Sequence, residues 1–445
     1  MIQLMHSPEP TGAEPQSPLP TIAVIGTFDT KAAELANVAD HVEDLGGRVV
    51  FVDTSARLAP PPDKTVIGAR RFVDQNAVAG AAGRTMPEID SLPRGEAVTA
   101  LRDGVTRLLV DMVARHDIDG AVCMGGAGTH IAGPALQQLP FGFPKLIVSP
   151  LASGRRTFEP YVGIQDVAVL HSVADISGIN SLTSVVYRNA AGFIVGAAMA
   201  ALRQGAVADP ERPLTVAVSM NGNTTPTVDR IHDHISSAGM AFVAFHANGT
   251  GGRALEAAVE NGQVDVVIDV TTTELSGHLI GGLMDPGPAR METAGRVGLP
   301  QILVPGCVDL ITCGKPEDAE REFPGRTYFG HNPELTLVRL TAGEMEAVAK
   351  EFARKANSAT GPVHIVVPTQ GLSVPNAPGG SFWDPEADEA FRRVLRAELD
   401  GHVQLSEIDA HINDPTFSAA VTAAFDAVSA ASARHETANA SATTA

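Results

Sequence analysis

Short apolar runs alternate with longer amphipathic segments along the first half of the chain. Helical periodicity is clearest at residues 30–45 and 95–116, and the apolar runs lie at residues 21–25, 48–53, 120–124, 145–149 and 167–172. Continuous apolar runs of this length are typical of strands buried on both faces, as in a parallel sheet covered by helices. The pattern therefore predicts a doubly wound α/β domain.

The second half of the chain repeats this alternation after an interruption. The segment "RQGAVADPERPL", residues 203–214, combines Gly, two Pro and several charges, and it predicts a domain boundary. New strand-like runs follow at residues 215–220, 241–247, 264–270, 301–306, 363–371 and 403–410. We therefore expect two doubly wound, Rossmann-like, mostly parallel-sheet α/β domains in series.

Both ends of the chain differ in composition from these domains. Residues 6–20 are rich in Pro and polar residues, and residues 429–445 are dominated by small and polar residues. Segments of this kind lack the apolar surface that a packed core requires. The sequence thus predicts a disordered leader (1–20), an N-terminal α/β domain (21–205), a C-terminal α/β domain (213–428) and a disordered tail (429–445).

Composition and charge limit the classes of protein to which the chain is expected to belong. A formal net charge of -19 argues against a nucleic-acid surface, because such surfaces neutralise phosphates with Lys and Arg. Three cysteines without zinc-type spacing and no apparent secretory signal favour a cytoplasmic protein. The longest apolar stretch, residues 190–202, is shorter than the ~20 residues of a membrane span, so we expect a packed helix and no membrane partner.

The segment "GTFDTK" follows the first strand and precedes a helix. Backbone amides and the helix dipole at such a turn can bind an anion, although the same residues can also act only as a helix cap. The candidate ligand-binding residues are Gly26, Thr27, Asp29, Thr30 and Lys31. Asp53 ends the second strand, where doubly wound nucleotide sites often place a ribose-binding carboxylate, or it too is a capping residue.

Two further loops of the first domain have the same character. "CMGGAGTH" places Gly125, Gly126, Gly128 and Thr129 after a strand, where the backbone can approach a ligand or simply pack closely. "SPLASGRR" adds Ser153 and Gly154 beside two arginines. Because the strand ends of a parallel sheet share one edge, the three loops together indicate a site for a phosphate-bearing ligand.

The second domain carries a comparable Gly-rich turn, "FHANGTGGRALE". Its candidate anion-binding residues are Asn248, Gly249, Thr250, Gly251, Gly252 and Arg253. Successive backbone amides form anion-binding nests, and an arginine can hold a carboxylate or phosphate with two hydrogen bonds. A small anionic substrate is the ligand that this turn indicates.

Titratable residues follow other strands of the second domain. Glu274 and His278 are four residues apart, a spacing that places a carboxylate and an imidazole on one face of a helix. With Asp309 and His331 they form a candidate catalytic set for general acid and base chemistry or metal binding. The competing interpretation of Glu274 is a capping residue at a polar helix start.

Several linked motifs together resemble the Tm-one-like ATP-binding family. They are "GTFDTK", "FHANGTGGRALE", "DVTTTEL", "GHNPELTLVR", "NAPGGSFWDPEAD" and "DAHINDPTF", and they extend over nearly the whole chain. The resemblance implies ATP bound in the N-terminal domain near the interdomain cleft, with the "GTFDTK" residues in that site. It also implies a homodimer or higher homo-oligomer.

The resemblance leaves the activity open. One hypothesis is an ATP-binding protein in which Asp29 contacts a nucleotide-bound Mg²⁺. A second is a metabolic enzyme that acts on a small anionic substrate in the second domain. A third, suggested by a barrel domain fused to plant relatives, is an ATP-gated scaffold for a separate TIM-barrel partner protein.

Overall fold

The structure, a computed structural model, describes residues 19–152, 159–204 and 212–443, with side chains described as far as residue 429. The chain divides into two compact units, Met1–Asp209 and Pro210–Ala445. Each unit contains one six-stranded sheet in which all neighbouring strands are parallel. The prediction of two Rossmann-like α/β domains in series is thus confirmed.

The sheet of the first unit has the strand order β3-β2-β1-β4-β5-β6. Its strands are β1 (Thr21–Gly26), β2 (Arg48–Asp53), β3 (Arg71–Val73), β4 (Gly120–Met124), β5 (Lys145–Ser149) and β6 (Ala168–His171). The helices are α1 (Phe28–Asp44), α2 (Lys64–Ile67), α3 (Gln75–Ala81), α4 (Met86–Asp90), α5 (Arg94–Ala114), α6 (Thr129–Leu136), α7 (Glu159–Val162) and α8 (Thr183–Gln204). This strand order is that of dinucleotide-binding folds.

Alternating residues of β1 enter two separate cores. Ile22 and Val24 pack with the apolar faces of α1 and α8, whereas Ala23 and Ile25 pack with residues of α3, α5 and α6. Side chains of a strand point alternately to opposite faces of a sheet. Helices on both faces therefore explain why the strand sequence is apolar throughout.

The sheet of the second unit has the order β15-β14-β10-β9-β7-β8, and a separate antiparallel sheet has the order β11-β13-β12. The strands are β7 (Thr215–Met220), β8 (Ala241–His246), β9 (Val266–Thr271), β10 (Gln301–Gly306), β11 (Leu310–Cys313), β12 (Tyr328–Asn332), β13 (Leu335–Arg339), β14 (Val363–Pro368) and β15 (Gln404–Ile408). The helices are α9 (Thr225–Ser237), α10 (Thr250–Glu260), α11 (Thr273–Ile280), α12 (Thr293–Val297), α13 (Pro316–Glu322), α14 (Ala342–Asn357), α15 (Pro385–Glu398) and α16 (Pro415–Thr443).

The last helix extends into the segment that the sequence predicts to be a tail. Helix α16 continues to Thr443, through most of the segment 429–445 for which the sequence predicts disorder. The physical reason is composition, since this segment is rich in Ala, the best helix former, and has neither Gly nor Pro. Low hydrophobicity alone does not exclude a helix that extends from a packed first half.

Candidate functional site

A cleft of about 420 Å³ lies at the carboxyl ends of the strands in the first unit. It lies where β1 and β4 are neighbours and the chain order reverses, which is the position where open α/β sheets bind ligands. The lining residues belong to the loops after β1, β2, β4 and β6, to the first turn of α1 and to helices α5 and α6. They include Thr27, Asp29, Thr30, Lys31, Ala56, Arg57, Arg94, Ala97, Val98, Gly126, Ala127, Gly128, Ile131 and Asp175.

The polar residues of "GTFDTK" form one small group at this cleft. The Thr27 and Thr30 hydroxyls lie 3.1 Å apart, and Thr30 Oγ1 donates to Asp29 Oδ1 over 3.2 Å. Lys31 departs from helical geometry, with φ -130° and ψ 18°. Its ammonium has no hydrogen bond or ion pair within the parts of the chain that the structure describes, so a cation is available to a ligand.

Asp53 does not line the cleft, and its contacts favour the capping interpretation over ribose binding. Its Oδ1 accepts hydrogen bonds from the Phe28 amide (3.2 Å) and from the Ser55 amide (2.9 Å) and hydroxyl (2.5 Å). The carboxyl is buried, and burial raises its pKa. Ser55 Oγ in turn accepts from the Asp29 amide over 3.1 Å. The first amides of α1 are therefore satisfied within the protein.

The Gly-rich loop after β4 has more backbone amides without a partner than the loop after β1 has. The amides of Gly126, Ala127 and Gly128 have no hydrogen-bond partner among the described residues. They precede α6, whose cap Gly128 supplies no side chain. A Cβ at Gly128 would lie 2.8 Å from Thr27 Cγ2, so glycine is required there for the two loops to approach. Unpartnered amides at a helix start are suited to bind an anion.

Two other predicted loop residues, Gly26 and Gly125, make packing contacts within the sheet and its helices and do not line the cleft. A Cβ at Gly26 would lie 2.9 Å from both Leu35 and the Met124 carbonyl, so glycine allows α1 to pack closely. Gly125 donates its amide to the Val148 carbonyl over 3.1 Å. Neither residue lines the cleft, and both shape it.

Thr129 does not line the cleft, and its predicted ligand-binding role stays a prediction. It is fully buried, and its hydroxyl donates to the Gly126 carbonyl over 2.6 Å. It lies 3.2 Å from the Tyr161 hydroxyl, so its polar atoms are occupied. Ser153 and Gly154 lie outside the described residues.

Sequence patterns did not identify several residues of this cleft. Arg94 is exposed at the start of α5 and has no partner among the described residues, whereas Arg57 donates to the Asp90 carbonyl over 2.6 Å. Ala97, Val98 and Ile131 form an apolar wall. In the sequence, Arg94 is marked only by the Pro-Arg-Gly run at the start of α5. That run does not show that α5 lies beside the strand ends that form the cleft.

In the second unit, the predicted anion nest already holds a carboxylate of the protein. Glu274 Oε1 accepts the amides of Gly249 (2.6 Å) and Gly252 (3.0 Å), and its Oε2 accepts Arg290 Nε (2.7 Å). Glu274 is fully buried. Both carboxylate oxygens are thus occupied by groups of the protein, whereas a general base must reach a substrate, and the catalytic role of Glu274 stays a prediction.

Arg290 connects Glu274 to the sheet. Its guanidinium donates to both carboxylate oxygens of Asp269 over 2.5 and 2.7 Å, and it lies 3.5 Å from a Glu256 oxygen. Burial opposes the charge, but Asp269 and Glu274 hold the pKa of Arg290 above its ordinary value. The network is a buried structural link between β9, α10 and α11. In the sequence, the only indication of this network is Asp269, a charged residue inside the apolar run of β9.

Other residues of the nest, Asn248, Gly251 and Arg253, have partners within the same unit. Gly251 donates its amide to Asn248 Oδ1 over 2.9 Å, and the space beside its Cα is filled by the His246 carbonyl. Gly249 has φ +88°, a conformation that favours glycine. Thr250 is exposed, and Arg253 helps to lower the pKa of Asp285. The nest therefore anchors α10 internally.

The predicted catalytic residues have separate hydrogen-bond partners. His278 pairs with Asp285 over 2.8 Å, not with Glu274. Although partial burial opposes it, hydrogen bonds from the Gly287 amide and His278 hold the pKa of Asp285 below its usual range. Within the described chain, these contacts share no partner with those of Glu274.

Asp309 and His331 lie in different environments. Asp309 is fully buried and accepts the Ser373 hydroxyl over 2.8 Å, and burial raises its pKa. His331 is exposed on β12, next to Gly222. No group of three or more His, Cys, Asp or Glu among the described residues is arranged to hold a metal ion.

Comparison with known proteins places the chain in a family. Residues 20–203 match the N-terminal domain, and residues 213–429 the C-terminal domain, of the uncharacterised protein family UPF0261. The chain belongs to this family. A UPF0261 protein of Rhizobium meliloti is 35% identical over 413 residues, which cover 91% of this chain and 98% of the relative. A UPF0261 protein of Mesorhizobium japonicum is 36% identical over 411 residues, 91% and 98% of the two chains.

Plant relatives of this UPF0261 chain are longer. The tomato (Solanum lycopersicum) ToMV susceptible protein tm-1 is 31% identical over 434 residues, which cover 93% of this chain but 56% of the tomato protein. The predicted Tm-one-like resemblance is thus confirmed. Among solved structures, MurG of Acinetobacter baumannii covers 93% of this chain and 99% of its own, with 11% identity and a TM-score of 0.24, too low to support any functional argument.

Proposed function

We propose that the first unit binds a nucleotide, ATP by the family resemblance, in the cleft between the loops after β1 and β4. The observation that carries this proposal is the combination, in one cleft, of unpartnered amides at Gly126–Gly128 with the cations Lys31 and Arg94. Amides at a helix start and flexible cations are the groups that recognise phosphates.

The two sides of the cleft suit the two ends of a nucleotide. The phosphates bind at Gly126–Gly128 and Lys31, because the amides at the start of α1 are already occupied by Asp53 and Ser55. The base and sugar lie against Ala97, Val98 and Ile131, which provide apolar contact. The first loop thus contributes side chains rather than backbone amides.

The oxygen atoms of this cleft also fit a magnesium ion carried by the nucleotide. Asp29 supplies a carboxylate, and Thr27 and Thr30 supply hydroxyls beside it. Mg²⁺ commonly binds through one or two carboxylates together with substrate phosphates. One carboxylate is too few for a protein-only site, so we expect Mg²⁺ to bind only together with the nucleotide.

Calorimetric titration with ATP and Mg²⁺ tests this proposal. Lys31→Ala should weaken binding by about 10- to 100-fold, since a hydrogen bond to a charged group contributes about 1.5–3 kcal/mol. Asp29→Ala should weaken binding of Mg-ATP more than binding of ATP without Mg²⁺. Lys64→Ala is the matched control, because Lys64 lies on α2 and does not line the cleft.

The outcomes separate the parts of the proposal. If the wild-type chain binds no ATP, the nucleotide assignment fails altogether. If wild type binds but Lys31→Ala and Lys64→Ala bind equally well, the ligand lies elsewhere in the chain. If Asp29→Ala weakens both forms of ATP equally, Asp29 does not act through the metal ion.

A further inference from the structure

The turn that leads into helix α9 lies where the second sheet would place a ligand. The strand order β15-β14-β10-β9-β7-β8 has a switch point between β7 and β9, because the chain continues from β7 to β8 on one side and from β9 to β10 on the other. Open α/β sheets bind ligands at such a point, beyond the carboxyl ends of the strands. The turn after β7 comprises residues 221–224, and α9 begins at Thr225. A ligand of the second unit is therefore expected at the start of α9.

The first turn of α9 has no side-chain cap. Thr224 stands at the capping position, but its hydroxyl lies 2.7 Å from the hydroxyl of Thr271 and makes no capping hydrogen bond. The amides of Gly222 and Thr225 have no partner within the described part of the chain. At the starts of α1 and α10, in contrast, carboxylates of the protein accept the backbone amides. Free amides at a helix start attract an anion.

Within the same turn, Asn223 provides a buried side chain with unused hydrogen-bonding capacity. Only 7% of the residue is exposed, its backbone amide donates to Asn221 Oδ1 over 2.9 Å, and its carbonyl accepts from Asn413 Nδ2 over 2.7 Å. The side-chain amide of Asn223 has no partner among the described residues, and its nitrogen and oxygen are not sealed from the surface. Buried polar groups almost always have a hydrogen-bond partner. This carboxamide therefore opens to the surface beside the start of α9 and is available to a ligand.

A guanidinium and an imidazole lie next to this turn. Arg230 Nη1 donates to the carbonyls of Pro226 (3.1 Å) and Asn413 (3.0 Å), so the side chain folds back towards the first turn of α9. Its Nε and Nη2 groups have no partner in the part of the chain that the structure describes. His331 is exposed on β12, and a Cβ added at Gly222 would lie 3.9 Å from its Cε1. The free N–H groups of an arginine beside free backbone amides suit a carboxylate or phosphate.

We propose that the start of α9 is a binding site for a small hydroxy acid. Its carboxylate accepts hydrogen bonds from the amides of Gly222 and Thr225 and from Arg230. A carboxylate is favoured over a phosphate dianion, because Arg230 contributes the one permanent positive charge among these groups. The carboxamide of Asn223 can both donate and accept, so it binds a hydroxyl group next to the carboxylate. All of these residues belong to the second unit, and the site does not depend on the nucleotide proposal.

Amide resonances of the deuterated, ¹⁵N-labelled full chain test this inference at the site itself. Glycolate, a small hydroxy acid, should shift the resonances of Gly222 and Thr225 in a saturable way. Arg230→Gln should raise its dissociation constant about 10- to 100-fold, since the variant removes hydrogen bonds from a charged group. Arg393→Gln is the matched control and should leave binding unchanged, because Arg393 is 64% exposed on α15, on the opposite face of the sheet from α9.

Two further ligands define what the site recognises. Acetate, which lacks the hydroxyl group, and inorganic phosphate should both bind more weakly than glycolate. Asn223→Ala should abolish the preference for glycolate over acetate and keep the wild-type melting temperature, because its side chain has no hydrogen bond to lose. The absence of any glycolate-dependent shift at Gly222 and Thr225, or equal binding by Arg230→Gln and Arg393→Gln, would overturn the inference. Tighter binding of phosphate would overturn the carboxylate assignment, and an unchanged preference in Asn223→Ala would overturn the role of Asn223.

Discussion

Glu274 accepts a hydrogen bond from the amide of Gly249 over 2.6 Å, so a carboxylate of the protein occupies the helix start that would otherwise attract an anion. The first unit repeats this arrangement, because Asp53 accepts the amide of Phe28 at the start of α1. In both units an internal carboxylate fills one of the anion sites that the fold offers. The loop Gly126–Gly128 is not filled in this way.

Replacing Arg290 should destabilise the second unit strongly. Arg290→Met leaves Asp269 and Glu274 buried without their cation, and breaking a buried ion pair in this way costs about 3–5 kcal/mol. Urea unfolding measures the effect. Arg321→Met is the control, because that side chain is 65% exposed and should change the free energy of unfolding by less than about 1 kcal/mol. Equal effects would mean that the network contributes nothing to stability.

Gly252 should tolerate no side chain, in contrast to Gly80. A Cβ at Gly252 would overlap the Glu274 carboxylate and lie 2.6 Å from Arg290 Nε. Gly252→Ala should therefore lower the free energy of unfolding by about 1–3 kcal/mol, the usual cost of overpacking. Gly80→Ala fills open space in α3 and should raise it by about 0.5–1 kcal/mol. Thermal unfolding of both variants compares them, and a stabilised Gly252→Ala would contradict the packing argument.

The buried strands could be predicted closely from sequence, and the small sheet could not. The bounds of β2 and β4 match the predicted runs, because strands covered on both faces are apolar throughout. Strand β3 has only three residues, and β12 is partly exposed and polar, so neither gives a distinct apolar run. A strand can thus be predicted from an apolar run only when it is long enough and buried on both faces.

Sequence position located the loops of the candidate site but not the direction of each side chain. Asp29 and Asp53 both follow strands, yet Asp29 faces the cleft and Asp53 faces backbone amides. Glu274 and His278 share a helix, but each has a nearer partner, Arg290 or Asp285. Those partners are distant in sequence or lie in irregular loops, so spacing alone gave no means to find them.

The stability of the second unit should depend on the ionisation of Asp388. Burial disfavours the carboxylate and raises its pKa to about 6, although Arg339 opposes the shift. The native state thus binds more protons than the unfolded chain between about pH 4 and pH 6, and this contribution to stability is lost as the pH rises through about 6. A shift of this size corresponds to about 3 kcal/mol.

Comparison with Asp388→Asn isolates this contribution. As the pH rises from 4 to 7, wild type should lose about 2.4 kcal/mol relative to the variant in urea unfolding, because part of the full effect is already lost at pH 4. Asp400→Asn, at an exposed position of the same unit, is the control for replacing a carboxylate by an amide. A constant difference between wild type and Asp388→Asn over this pH range would show that Asp388 does not titrate as described.

Two glycines of the candidate nucleotide site should respond differently to alanine. A Cβ at Gly126 meets no protein atom within 4 Å, so Gly126→Ala should change the free energy of unfolding by less than about 0.5 kcal/mol. The new methyl group would stand in the cleft and should weaken ATP binding about 10-fold or more, equivalent to about 1.4 kcal/mol. Gly128→Ala displaces Thr27 and should reduce both stability and affinity. Calorimetric titration and urea unfolding of the two variants test this contrast, and full ATP affinity in Gly126→Ala would exclude the Gly126 amide from phosphate binding.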